Sequence, residues 1–261
     1  MPTDFLPVLS DTHSRDGLII AGPCSAESLD RMLLTARQLC AQGIKIFRAG
    51  TWKPRTRPGG FEGHGAKALG WLSEVKKSTG MLTATEVGCA AHVEAALDAG
   101  VDILWIGART TVSPFAVQDI ADSLRGCDVP VLIKNPSCVD MNLWIGAVER
   151  FYNSGLRRLA AVHRGFKIPG ETSYRNAPLW EFVAEFRKEL PGLPIICDPS
   201  HMGGARQMIL PLSARARELG YDGLIIESHC DPDSALTDSF QQILPSDIKP
   251  VMDMWKGCAA C

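Results

Sequence analysis

The sequence predicts a single-domain α/β protein folded as a (β/α)8 barrel, the TIM-barrel architecture. Three observations predict it. Eight short apolar runs rich in β-branched residues alternate with eight longer helical stretches, and parallel neighbours need crossover connections, so this alternation specifies a parallel sheet. The chain has 261 residues, and roughly 250 residues is the usual size of such a barrel as one domain. Finally, the unusual polar residues fall at the C-terminal ends of the apolar runs, which a barrel gathers on one face. The alternative is an open, doubly wound sheet, because alternation does not prove closure.

The strands are expected at Leu18–Ala21, Lys45–Arg48, Leu82–Glu86, Ile103–Ile106, Val131–Lys134, Leu159–His163, Pro194–Cys197 and Gly223–Glu227. Helices are expected near 27–42, 66–79, 90–99, 115–125, 140–154, 176–190, 205–219 and 232–243. In the first, Met32, Leu33, Ala36 and Leu39 recur at helical spacing with charges opposite. Gly43, Gly80, Gly100, Gly155 and Gly220 follow helical stretches, where a left-handed cap residue is wanted. Residues 1–17 read as an N-terminal extension, 18–245 as the barrel and 246–261 as a C-terminal tail without a clear pattern.

Composition narrows the class. Hydrophobic residues make up 46% of the chain and the net charge is −2, so no global field points to nucleic acid or to an anionic membrane. No apolar run approaches the ~20 residues of a membrane span. Nine cysteines are scattered rather than set in a spaced framework, and no apolar signal segment precedes them. A reducing cytoplasm is the expected compartment, with most cysteines acting as small buried hydrophobes. His13, His64 and His92 read as surface residues and His229 as a neighbour of the site. The Cys258 and Cys261 pair lacks the strand–helix setting of a redox motif.

The polar strand ends are the informative part. In order, the ends and following loops supply Cys24; Arg48, Lys53, Arg55 and Arg57; Glu86; Arg109; Lys134; His163 and Arg164; Asp198 and His201; and Glu227 with Asp238. Buried cations are costly unless they meet an anion. Basic residues outnumber acidic ones here, which favours a polyanionic substrate over a rim of mutual salt bridges. A thiolate, an imidazole and two carboxylates (Cys24, His201, Glu227 and Asp238) suit a divalent transition metal. Against that stands the reading of Cys24 as packing and His201 as a satisfied loop histidine. The first, seventh and eighth strands are neighbours only in a closed barrel, so metal site and closure support each other.

The segments GPCSAES, KPRT, IGARTT, LIKNP, DPSH and IIESH…ALTD, in that order, resemble the 3-deoxy-D-arabino-heptulosonate 7-phosphate (DAHP) synthases, closest to the short microbial type I-beta form. The likeness runs from about Leu18 to Leu244. It implies condensation of phosphoenolpyruvate with erythrose 4-phosphate at the head of the shikimate pathway, with a divalent cation such as Mn2+ as cofactor. By that resemblance Cys24, His201, Glu227 and Asp238 are metal ligands. Arg48, Lys53, Arg109, Lys134 and Arg164, with Glu86 nearby, hold phosphoenolpyruvate, and Lys53, Pro54, Arg55 and Thr56 hold the aldose phosphate. Lys134, His201 and Cys24 are the implied catalytic residues. After KPRT this chain reads Arg-Pro-Gly-Gly-Phe-Glu-Gly where the family commonly has Ser-Pro-Tyr-Ser-Phe-Gln-Gly, so Arg57 is an additional phosphate candidate. The resemblance also implies a homodimer or homotetramer, with a chorismate mutase domain or partner as a further association. The alternatives are a related synthase of the octulosonate 8-phosphate or sialic acid type, and a non-catalytic barrel that regulates a chorismate mutase.

Overall fold

The eight apolar runs become eight parallel strands in the computed structural model, which describes residues 2–9, 17–55, 57 and 59–257. They are β1 Leu18–Gly22, β2 Ile46–Arg48, β3 Leu82–Val87, β4 Ile103–Ile106, β5 Val131–Lys134, β6 Leu159–His163, β7 Ile195–Cys197 and β8 Gly223–Glu227. They hydrogen-bond in sequence order, and β1 returns to β8, closing the barrel. That last pairing runs in register from Leu18 opposite Gly223 to Gly22 opposite Glu227.

Most strands are apolar on both faces because each face meets a different core; β3 is the exception, with the Thr83 and Thr85 hydroxyls donating to Asp102 and to the Ala49 carbonyl. Ile20, Ile46, Ile103, Leu132, Val162, Ile196 and Ile225 fill the barrel interior. Their neighbours Ala21, Phe47, Leu104, Ile133, Ala161 and Ile226 face the outer layer between sheet and helices. Outside β3 the period-two side-chain alternation therefore leaves no polar face below the strand ends, the usual condition of a fully covered parallel sheet.

The outer layer comprises α1 Leu29–Ala41, α2 Ala66–Thr79, α3 Ala90–Asp98, α4 Ala108–Thr111, α5 Pro114–Ser123, α6 Met141–Asn153, α7 Trp180–Glu189, α8 Pro199–Gly203, α9 Ile209–Glu218 and α10 Ile248–Gly257. The Ser28 hydroxyl accepts the Arg31 N–H to cap α1, whose Met32, Ala36 and Leu39 are buried at the expected spacing. Gly80 ends α2 at φ +71 and satisfies the Lys76 carbonyl, as a left-handed cap does.

One expected helix is wrong. Residues 232–243 form only a short 3-10 turn at Pro232–Ser234 followed by irregular chain. The apolar residues Leu236 and Phe240 of that stretch are 56% and 83% exposed, so it has no buried face to hold a helix. Its polar residues are claimed by the barrel top instead: Gln242 Oε1 accepts the Cys24 N–H at 3.0 Å, and the Ile243 N–H donates to the Glu227 carbonyl. The eighth outer helix is α10, inside the stretch read as a patternless tail. Ile248, Val251, Met252 and Trp255 bury one face of it. Pro250 disguises that helix, yet it lies in the first turn, where no intrahelical N–H bond is lost. Cys258, Cys261, Thr56 and His13 lie outside the described residues.

The N-terminal segment crosses the lower mouth of the barrel. The Leu6 N–H donates to the Arg157 carbonyl, and Val8 joins the interior core. Near the other end, His163 is fully buried with Nδ1 2.8 Å from the Tyr221 hydroxyl. Burial pushes this imidazole from its ordinary 6.5 down to about 3. The folded chain thus holds His163 neutral while the unfolded chain protonates it below pH 6.5. Its contribution is complete above that pH and is lost as pH falls toward 3. We predict that His163 alone lowers stability by on the order of 2 kcal/mol between pH 7 and pH 5. Urea unfolding of His163→Asn at both pH values should show a smaller drop than the wild type; an identical pH slope would refute this assignment.

Candidate active site

The C-terminal strand ends surround a cationic cleft with room for about 100 Å³ of solvent. Lys53, Arg55, Arg109, Lys134, Arg164 and Arg175 line it, against the carboxylates of Glu86 and Asp238. Six cations to two carboxylates, on a chain of net charge −2, make a focused anion site rather than a generally basic surface.

Beneath the cleft, ligand atoms of Cys24, Glu227 and Asp238 all lie within 4.8 Å of one another. His201 approaches two of these: its Nε2 is 3.7 Å from Glu227 Oε1 and 3.9 Å from Asp238 Oδ2. Metal–ligand bonds of about 2.0–2.3 Å place neighbouring ligand atoms roughly 3–4 Å apart, so Cys24, Glu227 and Asp238 could share one ion, with His201 beside two of the three. The donor set, one sulfur, one imidazole nitrogen and two carboxylates, fits a divalent transition ion. Closure of the barrel produces this convergence. Cys24 follows β1, Glu227 ends β8 and His201 lies in α8 after β7.

Supporting contacts hold each of these groups. Glu227 is buried and accepts Arg48 Nη1 at 3.0 Å and the Gln241 amide at 2.6 Å. Asp198 is buried and accepts Lys134 Nζ at 2.9 Å, with the same oxygen 2.8 Å from His201 Nδ1. A carboxylate on the second nitrogen of an imidazole fixes its tautomer and aims the first nitrogen, here toward the carboxylate cluster. Asp238 adopts left-handed backbone at φ +51, which Asp tolerates better than most residues. Arg175 reaches Asp238 Oδ1 at 2.9 Å, and Lys53 Nζ lies 3.0 Å from Cys24 Sγ.

Charge states follow from these contacts. Burial pushes the Cys24 thiol up to about 12, with Glu227 adding to the rise and Lys53 opposing it. As a thiol it directs its proton to Asp238 Oδ2 at 3.2 Å; ligation of a cation would require the thiolate and displace that proton. Burial would raise Asp198, but His201 and Lys134 outweigh it and hold the carboxyl well below the usual range. Burial also lowers His201, more than Asp198 raises it, and a neutral imidazole is the ligating form. Burial brings Arg164 down to about 10, which leaves it cationic at neutral pH.

Of the residues expected to bind substrate, Lys53, Pro54, Arg55, Glu86, Arg109, Lys134 and Arg164 all line the cleft. Arg48 does not; it is 2% exposed, one layer below, with its guanidinium 4.7 Å from the Trp105 ring centroid and its Nε without an acceptor. Arg57 is exposed. Glu86 accepts the Trp105 indole N–H at 3.0 Å. A Cβ at Gly107 would sit 2.2 Å from Glu86 Oε1, so any larger residue there would have to turn the Glu86 carboxylate from its present position. His229 is not a neighbour of Glu227's carboxylate: it is buried 3.6 Å from Glu27 Oε2. His92 stacks on Trp52 with centroids 3.9 Å apart instead of standing in solvent.

Sequence reasoning missed Arg175, Gln241 and the supporting role of Asp198. The DPSH run did signal Asp198, since Asp three residues before His is an N-cap pattern, and its Oδ1 does accept the His201 N–H. Arg175 and Gln241 sit in irregular loops where spacing carries no signal.

The profile of the DAHP synthetase I family matches residues 12–259. The chain belongs to that family. Phospho-2-dehydro-3-deoxyheptonate aldolase of Thermotoga maritima is 35% identical over 244 residues, covering 93% of this chain and 70% of that protein. The crystal structure of that enzyme superposes with a TM-score of 0.83 at 32% identity, over 93% of this chain and 69% of its own. A 2-dehydro-3-deoxyphosphooctonate aldolase of Syntrophotalea carbinolica is 28% identical, covering 90% of this chain and 87% of that protein. Among the described residues no helix is long and apolar enough to cross a membrane.

Removing Asp198 strips a buried ammonium of its counter-charge and frees the His201 ring. Asp198→Ala should cost about 3–5 kcal/mol of stability, measured by urea denaturation. Lys134→Met in the same background should recover part of that loss, because it deletes the stranded charge.

Proposed function

We propose that the chain is a metal-dependent synthase that joins phosphoenolpyruvate to erythrose 4-phosphate, giving DAHP and inorganic phosphate. One observation carries the reading: a six-cation cleft lies directly over a convergent Cys24–His201–Glu227–Asp238 cluster. The substrates would bring two phosphates and a carboxylate, and the reaction develops an alkoxide.

Arg109, Lys134 and Arg164 hold the phosphate and carboxylate of phosphoenolpyruvate and aim its methylene carbon across the cleft. Guanidinium forks suit planar and tetrahedral oxyanions, and a fixed orientation lowers the entropic cost of bond formation. Arg55 and the neighbouring Pro54 at the cleft mouth receive the aldose phosphate, with Thr56 implied beside them. The methylene carbon attacks the aldehyde carbon, forming the new carbon–carbon bond while the aldehyde π electrons move to oxygen. Lys53, whose Nζ lies 3.0 Å from Cys24 Sγ, would donate the proton that this oxygen needs. Water adds to the cationic carbon 2, and loss of phosphate from the resulting hemiketal leaves the keto acid. Glu86 accepts the proton from that water. When bound by Cys24, His201, Glu227 and Asp238, a divalent cation supplies Lewis-acid polarisation of the aldehyde; Mn2+ suits the mixed donors.

The likeness to 2-dehydro-3-deoxyphosphooctonate aldolases supports a second reading with a five-carbon aldose phosphate. The Lys53-Pro54-Arg55-Thr56 stretch favours the four-carbon partner.

Phosphate release from phosphoenolpyruvate should be fast with erythrose 4-phosphate and Mn2+, and at least about tenfold slower with arabinose 5-phosphate or N-acetylmannosamine. A preference for either of the latter overturns the substrate assignment. Cys24→Ala should lose metal affinity and at least about tenfold in turnover; wild-type turnover by this variant in chelator-treated buffer rejects the metal role.

A further inference from the structure

The loop from β2 to α2 carries Lys53, Pro54 and Arg55 to the cleft. Its outer residues Arg57, Gly59 and Gly60 are exposed, and a Cβ at Gly59, where φ is +94, would meet nothing within 4 Å. Glycine adds backbone freedom that an ordered loop must suppress. The loop is closed on itself. The Lys53 N–H donates to the Glu62 carbonyl at 2.8 Å, and the Gly65 N–H to the Thr51 carbonyl at 2.9 Å. Arg55 Nε donates to the Phe61 carbonyl at 2.7 Å, again within the loop. These bonds shape the loop but do not fix where it sits on the barrel.

Contacts with other elements do that. Lys53 Nζ reaches the β1 end, 3.0 Å from Cys24 Sγ and 3.2 Å from the Cys24 carbonyl. His64, where the loop returns, has Nε2 3.1 Å from the Glu27 carbonyl. On the outgoing side the contact is Trp52. His92, in the first turn of α3, lies flat on the Trp52 indole, with ring centroids 3.9 Å and planes 8° apart. The edge of the same indole meets Gly65, where a Cβ would sit 3.3 Å from Trp52 Nε1. His92 is itself fixed, because the Gly88 N–H donates to its Nδ1 at 3.2 Å. Burial holds this ring below its usual 6.5, so Nδ1 can accept at neutral pH. One imidazole therefore ties the end of β3, which carries Glu86, to the residue that precedes Lys53.

We propose that His92 is a positioning residue for the aldose phosphate: through its stack on Trp52 it seats the loop so that Arg55 faces the cleft. The inference rests on the reaction assigned above. Phosphoenolpyruvate is gripped by Arg109, Lys134 and Arg164, which belong to other strand ends, and Lys53 has its own tie to Cys24. Loss of the stack therefore falls chiefly on Arg55 and on the substrate it receives.

Steady-state kinetics of the intact chain with Mn2+ test it. His92→Ala should raise KM for erythrose 4-phosphate by about threefold to tenfold, the scale of one aromatic pair. KM for phosphoenolpyruvate should stay within about twofold of the wild type. His92→Phe keeps a flat ring on the indole and should restore most of the loss. Trypsin gives a second readout that needs no turnover. Lys53 and Arg57 precede proline and resist cleavage, so in this loop the protease cuts after Arg55. That cut should be at least about threefold faster in His92→Ala than in the wild type or His92→Phe. An unchanged KM for erythrose 4-phosphate, equal rises in both KM values, no rescue by His92→Phe, or equal cleavage of the three proteins overturns the proposal. If the wild type turns over no erythrose 4-phosphate, the reaction assigned above fails, and the cleavage rates still decide whether His92 seats the loop.

Discussion

Closure of β1 onto β8 is the constraint on which the site depends. Their register sets Gly22 opposite Glu227, which places the loop carrying Cys24 against the strand end carrying a buried carboxylate. Neither group tolerates that position alone. Glu227 is 1% exposed, and an isolated charge there would cost several kcal/mol. Arg48 and Gln241 meet its two oxygens, and a bound cation would meet them from the cleft side. The barrel thus concentrates charge where it has already prepared counter-charge.

The same logic orders the rest of the top face. Asp198 joins Lys134 to His201 through one oxygen, so a side chain lining the cationic cleft and one beside the Cys24–Glu227–Asp238 cluster share a carboxylate. A charge placed at one would therefore be felt electrostatically at the other, across a few ångströms of buried side chain. Arg175 completes the arrangement from the β6–α7 loop by holding Asp238 and Gln241.

Much of this was legible in the sequence, for physical reasons. Strand positions such as Ile103–Ile106 and Val131–Lys134 are readable because both faces must be apolar, and such runs are short, β-branched and bounded by turns. The polar ends were legible because the fold sends them all to one mouth. Residues 232–243 misled because Leu236 and Phe240 find no buried face there, while Gln241 and Gln242 are spent on the site. Trp255 was hidden by Pro250, and Arg175 by a loop without periodicity. Arg48 reads as a cleft residue in one dimension, yet the pleat at the end of β2 turns it under Trp105. Period and spacing locate side chains along an element; the depth to which they sink is decided by contacts the text does not order.

The Gln241 amide has a chemical consequence over the lifetime of the molecule. It donates to Glu227 from 2.6 Å, and hydrolysis of a glutamine side chain replaces that donor with an acceptor. Two carboxylates would then face each other inside the barrel mouth, where one must either take up a proton or turn away. Slow deamidation at this single position would age the protein at its centre, without touching the barrel that surrounds it.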